Sequence, residues 1–271
     1  MSLGVVIKGP EGVVLAADSR ITLEAHKEGE IPLLVNFDNA TKLLAFSGKH
    51  TYVGVVTYGV AVIGLRTAHS YIPEFELSLP DKRLNVEDYA QRMSAFYLKT
   101  WKEIMPGDYK GPSMTFIVGG YDDKSPYGKV FLFEIPSDPQ PQPRNPGETE
   151  FGMTWGGQLN VASRLIHGFD PTLPANLSRR FNLNQQQASE LNAELIKDLG
   201  FQIPYNVLPL QDCIDLAIFL VRTTIVAQGL AVAVRGVGGP IDVAVITRTK
   251  GLKFVQRKQT HGEDQNKKEV E

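Results

Sequence analysis

The opening of the chain constrains the fold most, because its pattern predicts a β-strand that begins almost at residue one. Two runs rich in β-branched residues, 3–8 and 13–17, flank the turn formers Gly9, Pro10 and Gly12. This pattern is typical of a β-hairpin. Chain ends usually fray unless a sheet holds them, so we expect residue two to have a fixed position at the end of a strand.

Ser2 directly follows Met1, and a small second residue permits removal of the initiator methionine. Without Met1, Ser2 would carry both a hydroxyl nucleophile and a free amine that can act as its base. An α-amine has a pKa of about 7.7–8.0, so a useful fraction is neutral near pH 7. Ser2 is therefore the leading candidate nucleophile, and its alternative interpretation is an ordinary second residue.

Four further segments carry recognisable motifs. They are Ala16-Ala17-Asp18-Ser19-Arg20, the strand 42–46 that Lys42 opens, the strand 53–59 that ends at Gly59, and Val237-Gly238-Gly239 before the strand 241–246. Together with the Ser2 hairpin they resemble the β-type subunits of the proteasome and the bacterial proteasome-like N-terminal-nucleophile (Ntn) hydrolases. When Ser2 is counted as the first residue, Asp18 is the seventeenth, where that family keeps its active-site Asp.

The resemblance implies an α+β fold, a four-layer αββα sandwich, and an endopeptidase-like hydrolase of peptide or amide bonds. Asp18 would hold Lys42 protonated, Lys42 would lower the pKa of the Ser2 amine, and the Gly59 N–H would bind the oxyanion. Thr22 and Ile21 would align an extended substrate by strand addition. The resemblance also implies peptide or unfolded-protein substrates, a homo-oligomeric ring and an unfoldase ATPase partner, with no cofactor and no metal.

The chain departs from the family around this site. Val234 and Val237 stand where the family usually has an Asp and a Ser before Gly-Gly, and Thr154-Trp155 stands where it often has a Ser. These departures favour an alternative function, a non-catalytic assembly subunit that keeps the fold. Alternative interpretations of the single residues also stay open: Asp18 as a turn cap, Lys42 as a solvated strand end, and Gly59 as a cap before a helix.

Composition excludes several other functions. The 271 residues carry 28 basic and 30 acidic side chains, well mixed, so no basic stripe indicates nucleic-acid binding. No apolar run approaches the roughly 20 residues that span a bilayer, and the first residues lack the charged and apolar regions of a signal peptide, so we expect a cytoplasmic protein. Cys213 lies in an apolar run and is expected to be a buried structural thiol. The histidines lack the spacing of metal ligands: His26, His50, His69, His167 and His261.

The remaining pattern predicts one domain over residues 1–255 and a polar, disordered tail over 256–271. Helices are expected over 60–72, 86–105, 158–168, 184–199 and 209–228. Strands are expected over 113–120, 129–135 and 241–247, with a closing hairpin at 252–255. The Pro-rich segment 136–148 is expected to be an exposed loop.

Overall fold

Two five-stranded antiparallel sheets form the centre of the computed structural model, which describes residues 2–25, 33–232 and 234–260. The first sheet contains Leu3–Lys8 (β1), Val13–Ala17 (β2), Gly152–Gly157 (β12), Asp242–Thr247 (β13) and Gly251–Gln256 (β14), in the order β12-β1-β2-β13-β14. The second contains Leu43–Ala45 (β5), Val53–Gly59 (β6), Met114–Gly120 (β9), Lys129–Ile135 (β10) and Asp138–Arg144 (β11), in the order β11-β10-β9-β6-β5. Two short hairpins join Ile21–Ala25 (β3) to Leu33–Phe37 (β4), and Val62–Ile63 (β7) to Arg66–Thr67 (β8).

Six α-helices accompany the sheets in the described part of the chain. They are Ile72–Leu77 (α1), Val86–Ile104 (α2), Leu159–His167 (α3), Leu173–Arg180 (α4), Gln185–Leu199 (α5) and Leu210–Leu230 (α6). The predicted helices at 86–105, 158–168, 184–199 and 209–228 are confirmed to within two residues at each end. Local caps explain two of the starts, because Asn85 accepts a hydrogen bond from the Asp88 N–H and Asn184 forms a capping box with Gln187.

Three apolar cores hold these elements together. The first lies between α2 and the second sheet and is rich in aromatic rings, including Tyr97 and Phe116. Another lies between the two sheets, where Leu15 and Ile117 are fully buried. The last lies between the first sheet and helices α3 and α6. The α+β fold with two antiparallel sheets and helices is therefore confirmed, and the four-layer αββα sandwich stays a prediction.

Helix α6, predicted over 209–228, is long and mostly apolar. Its 21 residues have a mean hydropathy of 1.6 in their most apolar window, enough in length and composition to cross a membrane. The expectation that no run approaches that length is therefore wrong. The buried residues of α6 recur every three or four positions and pack against β1 and β2, which is the pattern of a core helix. Cys213 is among them, as predicted.

Two segments differ from their predictions for reasons of backbone geometry. The helix expected over 60–72 is wrong, since Gly59 and Gly64 have φ angles of +93° and +60°, which no right-handed helix contains. The loop expected over 136–148 contains strand β11 at the outer edge of the second sheet. Its prolines, Pro139, Pro141 and Pro143, alternate with residues that keep their N–H groups, and an edge strand tolerates such a pattern.

The end of the fold lies beyond the predicted domain boundary. Gln256 is the last residue of β14, and Lys258 contacts Asp242 at the start of β13. Residues 256–258 are therefore part of the folded domain and not of a tail. The remainder of the predicted tail from residue 261 onward lies outside the described residues, as does Met1.

Candidate active site

The carboxylate of Asp18 is the centre of a buried hydrogen-bond network where β2 ends. Its Oδ1 accepts hydrogen bonds from Lys42 Nζ at 2.7 Å and from the Leu3 N–H at 3.0 Å. Its Oδ2 accepts hydrogen bonds from the N–H groups of Arg20 at 3.1 Å and Gly238 at 3.0 Å. Four donors satisfy a carboxylate that is only 1% exposed. The structure thus contains the predicted contact between Asp18 and Lys42.

Lys42 reaches Asp18 from the edge of the second sheet, immediately before β5. The Thr57 N–H donates to the Lys42 carbonyl at 2.9 Å, which fixes the backbone of the lysine against β6. Burial lowers the pKa of the Lys42 ammonium, and the charges of Lys258 and Arg20 lower it further, whereas Asp18 opposes the shift. Lys42 is therefore not a solvated strand end, but an ammonium that gives up its proton more readily than a surface lysine.

Ser2 is buried, and the peptide group that joins it to Leu3 is fixed by two hydrogen bonds. Its carbonyl accepts a hydrogen bond from the Gln158 N–H at 2.7 Å, and the following N–H, that of Leu3, binds Asp18. Gly157 makes this approach possible, because it has a φ of +99° and any Cβ there would lie 2.0 Å from the Ser2 carbonyl oxygen. The expected strand that fixes residue two is therefore present.

Ser2, Lys42, Gly59 and Ile21 line the same small pocket, which has a volume of about 330 Å³ including its open mouth. Most of the other lining residues are small: Ala40, Thr41, Thr57, Ala61, Thr67 and Ala68. Thr22 does not line this pocket. Its hydroxyl donates to Asn36 Oδ1 at 2.7 Å within the β3–β4 hairpin. The structure therefore brings together every predicted site residue except Thr22.

Gly59 ends β6 in a conformation that favours glycine. With its φ of +93°, an added Cβ would lie 2.1 Å from the carbonyl oxygen of Ser113. That carbonyl accepts a hydrogen bond from the Val60 N–H at 3.1 Å, so the backbone packs closely against the start of β9. The interpretation of Gly59 as a cap before a helix is wrong, since a strand pair follows it.

Two of the positions that depart from the family, Val237 and Trp155, form apolar contacts. Val237 is buried in the core between the first sheet and α6, and its N–H donates to Gln228 Oε1 at 2.9 Å. Trp155 packs against the same core with its ring 5.1 Å from that of His167. Val234 is 44% exposed. The loop of residues 237–239 is therefore held by backbone hydrogen bonds and by the side chain of Gln228. Sequence analysis did not predict this role of Gln228.

A second, partly buried ion pair beside Asp18 was also missed. Lys258 Nζ contacts Asp242 Oδ2 and donates to the Ser19 hydroxyl at 3.1 Å, and the Lys258 N–H donates to Asp242 Oδ1 at 2.8 Å. The available sequence signal was a carboxylate at the start of an apolar strand, because such a residue needs a partner when buried. Within residues 2–25, 33–232 and 234–260, no three His, Cys, Asp or Glu side chains cluster to hold a metal ion.

A serine before the first strand, a buried Asp–Lys pair and two antiparallel sheets with helices correspond to a proteasome-like Ntn-hydrolase fold. A solved structure with this fold is a Gly-1 mutant of Anbu from Hyphomicrobium sp. strain MC1. It matches 97% of this chain and 88% of that chain with a TM-score of 0.57 and 13% sequence identity. This likeness confirms the predicted resemblance at the level of the fold. No protein-family model and no curated protein matches the chain.

Proposed function

We propose that this protein is an Ntn hydrolase that cleaves peptide or amide bonds through Ser2 after Met1 is removed. The observation that carries the proposal is the Asp18 carboxylate, which binds both the Lys42 ammonium and the N–H that follows Ser2. One carboxylate thereby fixes the candidate nucleophile relative to a buried cation. This is the arrangement that a terminal amine needs in order to work as a base beside its own hydroxyl.

The proposed reaction begins when the neutral Ser2 amine takes the proton of the Ser2 hydroxyl. The oxygen attacks the substrate carbonyl, and the resulting oxyanion accepts a hydrogen bond from the Gly59 N–H. The C–N bond then breaks, and the Ser2 ammonium returns its proton to the leaving amine, which leaves an acyl ester on Ser2. Water, deprotonated by the same amine, then attacks the ester carbonyl. The bond between that carbonyl carbon and the Ser2 oxygen breaks, the Ser2 ammonium returns its proton to that oxygen, and the acid is released.

Lys42 supports this chemistry through its charge. An ammonium close to the Ser2 amine disfavours the protonated amine and so raises the fraction that can act as a base near neutral pH. Asp18 keeps Lys42 in place and compensates part of the cost of burying its charge. A substrate side chain would lie beside Ser2 against the small residues that line the pocket.

An extended peptide segment would lie along β3, with Ile21 in the pocket and Thr22 further along the same strand. The remaining parts of the proposal are a homo-oligomeric ring, delivery of unfolded protein by an ATPase, and a cytoplasmic location. The ring and the ATPase partner follow from the resemblance of the sequence motifs to the proteasome family.

A second candidate function is a non-catalytic subunit that keeps the fold. The observation that favours it is the set of apolar side chains at Val234, Val237 and Trp155, which offer no hydroxyl or carboxylate to the site. The two functions differ in whether Ser2 reacts. A scaffold assembles equally well with serine or alanine at this position.

The test is the intact mass of the protein, expressed in its native host, before and after incubation with a peptide epoxyketone. This reagent forms its stable ring adduct only with an adjacent amine and hydroxyl. We expect loss of Met1 and a single adduct that is absent from the Ser2→Ala variant. Retention of Met1, or hydrolysis that survives Ser2→Ala, would contradict the proposed mechanism.

A further inference from the structure

Two lysine–aspartate pairs lie side by side in this site, one buried and one largely buried, and the proposed chemistry uses only the first. Asp18 pairs with Lys42, and Asp242 pairs with Lys258. The side chain of Lys258 is 13% exposed and that of Asp242 is 4% exposed. Removing a second ion pair from water carries a desolvation cost, and this cost suggests that the pair has a functional role.

The second pair is connected to the first through Ser19. Lys258 Nζ donates to the Ser19 hydroxyl at 3.1 Å, while the Ser19 N–H donates to the carbonyl of Gly238 at 3.0 Å. Gly238 in turn donates its N–H to Asp18 Oδ2. Ser19 therefore lies between Lys258 and Gly238, one of the residues that fix the Asp18 carboxylate.

Strand register brings the same residues together from the other side. Asp242 is the cross-strand partner of Ala17, the residue directly before Asp18. Asp242 is thus fixed to the end of β2 by the sheet, and Lys258 is fixed to Asp242 by two contacts. The sheet holds Asp242 beside the end of β2, and the segment after β14 contacts both Asp242 and the side chain of Ser19, the residue that follows Asp18.

Thr41 shows how close the two lysines are. It lines the small pocket beside Ser2 and also a polar cavity of about 920 Å³ that Lys258 and Asp242 line. Lys42 is the next residue in the chain. The charge of Lys258 acts on Lys42 together with those of Asp18 and Arg20.

We propose that Lys258 is a positioning residue of the Ser2 site, which acts through Asp242 and Ser19 on the Asp18 carboxylate. The inference rests on the proposed function. It assigns the segment after β14 to the active site, although that segment contributes no group that touches the substrate. Loss of Lys258 should slow the chemical step and leave substrate binding unchanged, because the pocket beside Ser2 is built from other residues.

The experiment compares Lys258→Met with Lys258→Arg, which keeps the charge, and with Lys253→Met, which removes an exposed lysine from β14. A fourth variant, Lys258→Met with Asp242→Asn, removes both charges so that no unpaired carboxylate stays buried. The readouts are the maximal rate and the half-saturating concentration of epoxyketone labelling, with thermal unfolding as the check on folding.

We expect Lys258→Met and the double variant to lose about tenfold in maximal labelling rate with little change in half-saturation. Lys258→Arg should recover most of that rate, and Lys253→Met should match the wild type. A folded double variant that labels at the wild-type rate would overturn the proposal, as would an equal loss in Lys258→Arg and Lys258→Met.

A measurement that does not need activity separates this proposal from the proposed function. An NMR titration follows the Lys42 side chain in the wild type and in the double variant. His69 and Arg257 are the other titratable groups near Lys258, and both are unchanged in the double variant. We expect a changed Lys42 titration and a shifted Leu3 amide signal in the variant, even if the wild type is never labelled. Unchanged signals at both positions would overturn the role of Lys258, whereas an unlabelled wild type would overturn only the function.

Discussion

Replacing Gly59 with alanine tests the assignment of its N–H as the oxyanion donor. The residue has a φ of +93°, and an added Cβ would lie 2.1 Å from the Ser113 carbonyl oxygen. Real Cβ atoms essentially never come closer than 3.0 Å to such an atom, so the backbone must retreat by about 0.9 Å. A catalytic donor has to keep its position within about 0.5 Å.

The expected loss has two parts that can be measured separately. The left-handed backbone costs a non-glycine residue about 1–2 kcal/mol, and the clash adds about 1–3 kcal/mol to the destabilisation. Displacement of an oxyanion donor lowers the rate of the chemical step by about 10²- to 10³-fold. We therefore expect a folded but less stable variant whose turnover falls far more than its substrate affinity.

The chain supplies a matched control in Gly48, which has a φ of +60° and no atom within 4 Å of the position of an added Cβ. Gly48→Ala carries the cost of the backbone conformation without a clash, and it lies outside the pocket. Urea unfolding gives the stability of both variants, and peptide hydrolysis below the unfolding transition gives their kinetics. Wild-type turnover in Gly59→Ala, or equal destabilisation of the two variants, would refute this reasoning.

Three further predictions concern Lys42, Cys213 and the contact between Tyr58 and Gly156. Lys42→Met should abolish epoxyketone labelling. Because burial lowers the pKa of Lys42 in the folded state, the stability of the wild type should rise with pH between that lowered pKa and 10.5. Urea unfolding at several pH values should show this rise in the wild type and not in the variant. Burial raises the pKa of the Cys213 thiol to about 11, so alkylation followed by mass spectrometry at about pH 8 should be slow in the folded protein and fast in urea. Gly156→Ala should destabilise the fold by about 1–3 kcal/mol, since its Cβ would lie 2.0 Å from the Tyr58 hydroxyl. In a double-mutant cycle measured by urea unfolding, Gly156→Ala should cost less in the Tyr58→Leu variant than in the wild type.

Elements with a clear local pattern were predictable from the sequence. The hairpin of β1 and β2 follows from β-branched runs around turn formers, and α2 and α5 follow from apolar periodicity behind an Asn cap. Segment 60–72 was not predictable in this way, because its apolar positions fit a helix while the backbone at Gly59 and Gly64 does not. The Pro-rich strand β11 escaped prediction because pairing with β10 outweighs its poor strand propensity.

The sequence by itself determined the first hairpin and the motif residues Ser2, Asp18, Lys42 and Gly59, since these depend on residue type and on short spacings along the chain. The tertiary structure decided which groups meet. Only the fold brings Gly238 to Asp18 across 220 positions and Lys258 to Ser19 across 239. Such contacts leave no local pattern, because a buried charge is stabilised by whichever partner the packed sheets place beside it, however distant that partner is in the chain.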